Sequence, residues 1–121
     1  MEVTVVKENG VGVAVVSSDT VLITDVRSAL DLMATVAYET GCDRIILPKT
    51  AVYEDFFDLK SRLAGEVLQK FVNYQVKVAI VGDFSGYPSK SLKDFIYESN
   101  RGNDIFFVSD EEQAIDKLSR R

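Results

Sequence analysis

The sequence predicts a single α/β domain whose mixed, largely parallel sheet carries an N-terminal β-hairpin and four helices. Three observations predict this class. Two valine-rich runs flank Asn9-Gly10, short apolar runs then alternate with amphipathic segments, and a length of 121 residues fits one hydrophobic core. Strands that alternate with helices need crossover connections, which are right-handed and leave the strands parallel. We therefore expect residues 1–121 to form one domain.

The hairpin is the first predicted element, with strands at about 2–8 and 11–17. β-branched residues dominate both runs. The Asn9-Gly10 pair between them is a strong hairpin signal, because both central positions of a type I′ turn require a positive φ. The apolar trio Val21-Leu22-Ile23 then fits either a short strand or the approach to a helix, and the sequence leaves both alternatives open.

Four helices and three further strands follow the hairpin. A helical period begins at Val26, and Gly41 ends it as a C-cap. Its apolar face comprises Ala29, Leu30, Met33, Ala34, Val36 and Ala37. The next predicted elements are a buried strand at 44–48, a helix at about 58–73, a strand at 76–81, a helix at 89–100 and a strand at 105–108. Ser109 and Glu112 form a capping box that predicts the start of a last helix.

The charge balance argues against several classes of partner. The 14 basic and 19 acidic side chains give a net charge of −5, whereas nucleic acids and anionic membranes attract basic surfaces. No apolar run approaches the roughly 20 residues that span a bilayer, and the N-terminus shows no signal-peptide pattern. We therefore expect neither nucleic acid nor membrane as a partner.

The chain contains no histidine and one cysteine, Cys42. The missing imidazole excludes Ser-His-Asp and Cys-His catalysis as well as histidine-containing zinc sites. A single cysteine cannot form an internal disulfide, which favours a reducing cytoplasm. We therefore expect a cytoplasmic protein that uses neither a metal nor another cofactor.

Ligands of open α/β sheets bind beyond the carboxyl ends of the parallel strands. This rule selects residues 48–58, 82–90 and 109–110. A candidate ligand-binding set lies in the first two segments and consists of Lys49, Asp83, Ser85, Ser89 and Lys90. Backbone amides that open the predicted helix at 89–100 could cradle an anion, with Lys90 supplying positive charge. An ordinary strand-to-helix turn is the alternative interpretation of 82–90.

The carboxylates of Asp55, Asp58 and Asp83 have the chemistry of magnesium ligands. However, Asp58 directly precedes the predicted helix and suits its N-cap, and acidic side chains near a helix start complement its dipole. We therefore predict helix capping at this position and no metal site.

The segment Tyr53–Asp58 is the candidate partner-binding surface. Its members are Tyr53, Glu54, Asp55, Phe56, Phe57 and Asp58. If the helix begins at Asp58, the three rings cannot all face one core, and exposed aromatic rings among charges are typical of protein interfaces. The alternative is that Phe56 or Phe57 closes the upper edge of the sheet. On the first interpretation, the double substitution Tyr53→Ala and Phe56→Ser leaves the fold intact.

Several segments resemble an uncharacterised family of small bacterial proteins, a domain of unknown function (DUF4180). The segments are 23–33, 54–59, 64–74, 81–85, 89–100 and 106–108. The likeness extends from Val3 to Leu118, nearly the whole chain, and implies no known activity.

A more distant likeness is to STAS domains, as found in sulphate transporters and bacterial anti-sigma-factor antagonists. The hairpin ahead of the βα units, the strand-loop-helix at 44–73 and the ending at 106–118 carry it. The resemblance implies a STAS-like fold and partner binding by a helix-and-loop surface, sometimes switched by phosphorylation at a helix N-terminus. STAS domains have Asp-Ser-Ser-Gly or Asp-Ser-Thr-Gly where this chain has Asp-Phe-Phe-Asp-Leu-Lys-Ser at 55–61. We expect Ser61 to lie one helical turn too far along for this role.

These observations favour a non-enzymatic cytoplasmic regulatory or protein-interaction module. Its partner is an unknown protein, and a second copy of the chain is a further candidate. The alternative is a sensor of small molecules or anions, or a modest enzyme, that uses the loops at the strand ends. A concave pocket at those ends would favour the alternative, and a flat aromatic surface there would favour the module.

Overall fold

Five strands and four helices make up the computed structural model, which describes residues 1–120. In chain order they are β1 (Glu2–Glu8), β2 (Val11–Ser17), α1 (Val26–Thr40), β3 (Arg44–Pro48), α2 (Leu63–Asn73), β4 (Lys77–Val81), α3 (Lys90–Arg101), β5 (Ile105–Val108) and α4 (Glu111–Leu118). The sheet has the order β1-β2-β3-β4-β5, with β1 antiparallel to β2 and all other pairs parallel. The predicted mixed α/β class, with its hairpin and four helices, is confirmed.

The hairpin turn has the predicted backbone. Asn9 and Gly10 have φ values of 55° and 75°, and Glu8 pairs with Val11 across the turn. The ambiguous segment after the hairpin contributes one bridge to the sheet layer, a parallel pairing of Ile23 with Val52. Ile23 is buried, so this segment fixes the approach to α1 from the sheet side.

The helix predicted at 58–73 begins later, at Leu63. Asp58 does act as an N-cap, but of a short 3₁₀ turn at Leu59–Ser61, where its carboxylate accepts a hydrogen bond from the Lys60 amide at 3.1 Å. Arg62 then adopts a left-handed conformation with φ 66°, which an α-helix cannot continue through. The expectation for Ser61 is therefore wrong, because this residue lies two positions ahead of α2 and not inside it.

The cap of α4 is also displaced by one residue. Asp110 has extended backbone angles and accepts a hydrogen bond from the Gln113 amide at 2.8 Å, so Asp110 is the N-cap in place of Ser109. The Ser109 hydroxyl accepts from the side chain of Gln113 instead, at 2.9 Å. Both residue types cap well, and only the position at which the helix begins decides between them.

The two faces of the sheet are covered unequally. Helices α1, α2 and α3 pack on one face, over a core that includes Val36, Phe71 and Leu92, whereas α4 alone packs on the other, through Ala114 and Leu118. Right-handed crossovers that all step in one direction leave their helices on one face. Only α4, which follows the last strand, reaches the opposite face. None of the helices within residues 1–120 is both long and apolar enough to cross a membrane.

The burial of α1 differs from the predicted face. Leu32 is buried, although the pattern did not include it, whereas Ala34 and Ala37 are exposed. In α2 the central residues Leu68 and Phe71 are buried, with 4% and 1% of their surface exposed, whereas Val72 is 42% exposed. The apolar stripe of α1 is wider than the part of the helix that is buried.

Candidate functional site

The segment Tyr53–Asp58 does not form an exposed aromatic surface. Phe56 and Phe57 are 1% and 4% exposed, with ring centres 5.1 Å apart, and only Tyr53 has an exposed ring, at 44%. A 3₁₀ turn at Glu54–Phe57 carries both phenylalanines inward over the carboxyl ends of the strands, where Phe56 meets Phe107 of β5. The expectation that these rings are exposed is therefore wrong, and both close the upper edge of the sheet.

The polar members of this segment remain at the surface. Glu54, Asp55 and Asp58 are exposed. Glu54 accepts a hydrogen bond from the Tyr87 hydroxyl at 2.8 Å, and Asp58 caps the following turn. Contact of Tyr53 and these carboxylates with a partner stays a prediction.

Lys49 lies at the centre of a cluster at the carboxyl ends of β3 and β4. Its ammonium lies 4.6 Å from the ring centre of Tyr87, 5.7 Å from Phe57 and 5.9 Å from Phe84, and donates to the carbonyl oxygen of Asp83 at 3.2 Å. Hydrogen bonding with Tyr87 raises the pKa of Lys49, and Glu54 and Asp83 add to the effect through their charges. The charged form is thus favoured, so this amine is poorly suited to act as a base or nucleophile.

Gly82 allows this lysine to cross the end of β4. A Cβ atom at position 82 would lie 2.6 Å from Cβ of Lys49, well inside van der Waals contact. No side chain other than hydrogen fits there while Lys49 keeps its place. The sequence analysis includes Gly82 only as the first residue of the segment 82–90, because nothing local in the sequence shows which residue passes over it.

Asp83 and Ser85 join Lys49, as predicted. The Asp83 carboxylate accepts hydrogen bonds from the Ser85 hydroxyl at 2.6 Å and the Ser85 amide at 2.9 Å. These bonds lower the pKa of Asp83, and the nearby charge of Lys49 lowers it further. The carboxylate therefore stays ionised and holds the turn after β4 in place.

Ser89 and Lys90 do not join the cluster. The Ser89 hydroxyl caps α3 by accepting from the Leu92 amide at 3.2 Å. Lys90 pairs with Asp94 one turn along the same helix at 2.8 Å, and this hydrogen bond raises the pKa of Lys90. The predicted ligand set is therefore divided, because helix geometry offers Lys90 a carboxylate at i+4.

Two polar members of the cluster were not predicted as ligand-binding residues, namely Tyr87 and Glu54. Tyr87 lies within the 82–90 segment that the strand-end rule selects, so its presence at this edge could have been found. The complete cluster sets one ammonium between two carboxylates, which opposes the binding of an anion. Within residues 1–120, no group of three or more Cys, Asp or Glu residues could hold a metal ion.

A second surface feature, which we call the α1–α2 groove, lies near the amino ends of β3 and β4. Its volume is about 380 Å³, and it is lined by Leu30, Met33, Ala34, Ala37, Tyr74 and Val76. Tyr38, which is 92% exposed, follows Ala34 by one helical turn, and Tyr74 is 65% exposed. The sequence analysis placed Ala34 and Ala37 on the apolar face of α1. The width of that face could have indicated that part of it lies outside the core.

Comparison with known proteins identifies one family. Residues 8–118 match the family described as Domain of unknown function (DUF4180). The chain belongs to this family. In the same comparisons, no curated protein and no solved structure matches it. The match of the DUF4180 domain runs from the end of β1 through α4, so it includes the Lys49 cluster and the α1–α2 groove.

Proposed function

We propose that this DUF4180 domain is a non-enzymatic cytoplasmic interaction module that binds a protein partner through the α1–α2 groove. The observation that carries the proposal is the groove itself, an apolar depression beside two exposed tyrosines. Contiguous exposed apolar surface is uncommon on soluble monomers away from binding sites. Tyrosine is enriched at interfaces because its ring buries a large area while its hydroxyl can remain hydrated.

The chemistry at the strand ends supports a binding role over a catalytic one. Lys49 is held in its charged form, and both Glu54 and Asp83 accept hydrogen bonds from neighbouring side chains. These contacts join the β3–α2 loop to the β4–α3 loop, which is a structural role. The chain also has no histidine to serve as a general base near neutral pH.

A relationship to STAS domains is a further part of the proposal. Its support is the order of elements, with a hairpin ahead of the βα units, and the place of Ser61 just ahead of α2. The Ser61 hydroxyl donates to the carbonyl oxygens of Asp55 and Asp58 at 2.6 and 2.7 Å.

Site-specific photo-crosslinking tests the proposed surface. A photoreactive phenylalanine derivative replaces Tyr38 in the chain expressed in its own cells, and the matched control carries it at Tyr97, another exposed tyrosine on α3. We expect a discrete adduct at position 38 and none at position 97. An adduct at twice the mass of the chain would identify the partner as a second copy.

A second variant links the adduct to the groove. Ala34→Glu places a charge on the groove wall at an exposed helical position and should leave the melting temperature unchanged, because glutamate is a good helix former. We expect it to abolish the adduct at position 38. Equal crosslinking at both positions, or an adduct that survives Ala34→Glu, would contradict the proposal.

A further inference from the structure

After β4 and β5, the last two strands of the sheet, the chain turns to opposite faces of the sheet. After β4 the chain turns to α3, which packs with α1 and α2, and after β5 it turns to α4 on the other face. Loops that diverge in this way open a crevice beyond the carboxyl ends of adjacent parallel strands, and this is where open α/β sheets bind their ligands. Among β2 to β5 this divergence occurs at the β4–β5 pair.

A groove of about 480 Å³, which we call the β4–β5 crevice, lies at that position. Its apolar part is formed by Phe84, Phe107 and Val108, and its polar part by Asp83, Ser109 and Gln113. The rings of Phe84 and Phe107 meet edge to face at 5.5 Å, so they form a firm aromatic floor. Phe84 is only partly buried and offers ring surface to the groove.

Two of the polar groups of the crevice are acceptors, namely the Asp83 carboxylate and the side-chain carbonyl of Gln113. Oδ1 of Asp83 accepts both bonds from Ser85, and within residues 1–120 no side chain forms an ion pair with this carboxylate. Lys49 reaches only the backbone carbonyl of Asp83. The Gln113 side-chain amide donates to Ser109 and to the Asp110 carboxylate at 2.9 and 3.1 Å, which leaves its carbonyl oxygen as the acceptor that can serve a ligand.

We propose that the β4–β5 crevice binds a small organic cation rich in N–H donors, such as an alkylammonium or guanidinium compound. The Asp83 carboxylate and the Gln113 carbonyl accept its hydrogen bonds, and the Phe84 ring supports its charge through a cation–π contact. No lining residue of the crevice is basic. The Lys49 ammonium, 5.9 Å from the Phe84 ring centre, donates to the Asp83 backbone carbonyl, so the lining itself supplies no counter-charge for a phosphate or carboxylate ligand. This site is separate from the α1–α2 groove and does not depend on the proposed protein contact. A concave pocket at the strand ends is the feature that favours the alternative of a small-molecule sensor.

Titration with agmatine, followed by amide NMR, tests the proposal on the full chain. We expect saturable shifts at the amides of Phe84, Ser109 and Gln113. Asp83→Asn should weaken binding by about tenfold or more, since it removes a charge-assisted hydrogen bond. Asparagine can still accept from Ser85, so the turn should keep its structure. The matched control, Asp55→Asn, changes an exposed carboxylate of the neighbouring loop and should bind agmatine as the wild type does.

Two further probes test separately whether binding needs N–H donors and whether it needs a positive charge. Tetramethylammonium carries the charge but has no N–H donor, and inorganic phosphate carries the opposite charge. Tetramethylammonium should bind more weakly than agmatine, and phosphate should not shift these amides. The proposal is overturned if agmatine produces no saturable shifts, if Asp83→Asn binds unchanged, if tetramethylammonium binds equally well, or if phosphate occupies the crevice.

Discussion

The Tyr53–Asp58 loop and the α1–α2 groove are both rich in apolar side chains, yet the fold treats them in opposite ways. In the loop, Phe56 and Phe57 are buried, and their rings meet those of Phe107, Phe84 and Tyr87. In the groove, Ala34 and Ala37 are exposed, and Tyr38, which follows them on α1, is 92% exposed beside it. The loop therefore uses its rings for folding, and the groove leaves its apolar surface for other contacts.

The contrast teaches that an aromatic cluster in a loop is no better evidence of a binding surface than a plain helical stripe. The loop follows β3 and folds over the strand ends through three short 3₁₀ turns, which bring consecutive rings inward. Helix α1 has 15 residues and an apolar stripe that includes Ala34 and Ala37. Both alanines are exposed, so part of this stripe is not covered by the rest of the fold.

The largest expected effect compares one ring from each region. Phe56→Ala should lower the free energy of unfolding by about 3–5 kcal/mol, because it removes a buried ring and leaves a cavity. Tyr38→Ala should change it by about 0.5 kcal/mol or less, as at other exposed positions. Urea unfolding of both variants measures the difference. Equal and small losses of unfolding free energy would show that burial does not distinguish the two regions. The sequence-based expectation that the fold tolerates Phe56→Ser would then stand.

A second comparison concerns the backbone beneath Lys49. Gly82→Ala should cost about 1–3 kcal/mol, because its Cβ would lie 2.6 Å from Cβ of Lys49 and force that side chain aside. Gly86→Ala is the matched control in the same loop, since a Cβ there meets no atom within 4 Å. We expect the control to be neutral or to stabilise by up to about 1 kcal/mol. Thermal melts of the two variants that coincide would contradict the described path of Lys49.

A third substitution separates the Tyr87 ring from its hydroxyl. Tyr87→Phe keeps the ring under the Lys49 ammonium and removes the hydrogen bond to Glu54, which should cost about 0.5–1.5 kcal/mol. Tyr87→Ala should cost more, because the ring stacks on Phe57 at 5.3 Å. Chemical denaturation of both variants checks this order, and a larger loss for Tyr87→Phe would be inconsistent with it.

The smallest effect is a pH dependence of the strand-end cluster. Because the folded protein lowers the pKa of Asp83, the stabilisation from this group is present above the unfolded-state pKa and is lost as pH falls through the folded-state pKa. Ser85→Ala removes the hydroxyl that contributes most to this lowering. We expect the pKa of Asp83, followed by NMR of its carboxyl carbon, to rise toward its ordinary value in this variant. An unchanged pKa would assign the lowering to another group.

Lys49 should show the opposite dependence. Its raised pKa means that its stabilisation is present below the unfolded-state pKa and is lost as pH rises through the folded-state pKa. The α1–α2 groove, which is lined by apolar residues and one tyrosine, offers no comparable acid-limb dependence. A change of pH should therefore affect the strand-end cluster and leave the groove unchanged.

The sequence by itself determined the order of the elements and the class of the fold. Asn9-Gly10 specified the hairpin, Gly41 the end of α1, and the apolar runs the positions of β3, β4 and β5. These signals are local, because turn conformations and the period of apolar residues depend on a few neighbouring positions. The segments selected by the strand-end rule also proved to be neighbours, since Lys49 and Asp83 are in contact.

Only the tertiary structure decided which apolar residues are buried and which polar groups meet. Phe56 is buried because Phe107, 51 positions later in the sequence, lies across the sheet edge from it. Ala34 is exposed because no element covers that part of α1. Lys90 pairs with Asp94 on the same helix and does not join the Lys49 cluster. Burial and pairing depend on long-range contacts, which a local pattern of residues does not encode. The sequence therefore placed the site and three of its residues, Lys49, Asp83 and Ser85, but not the rest.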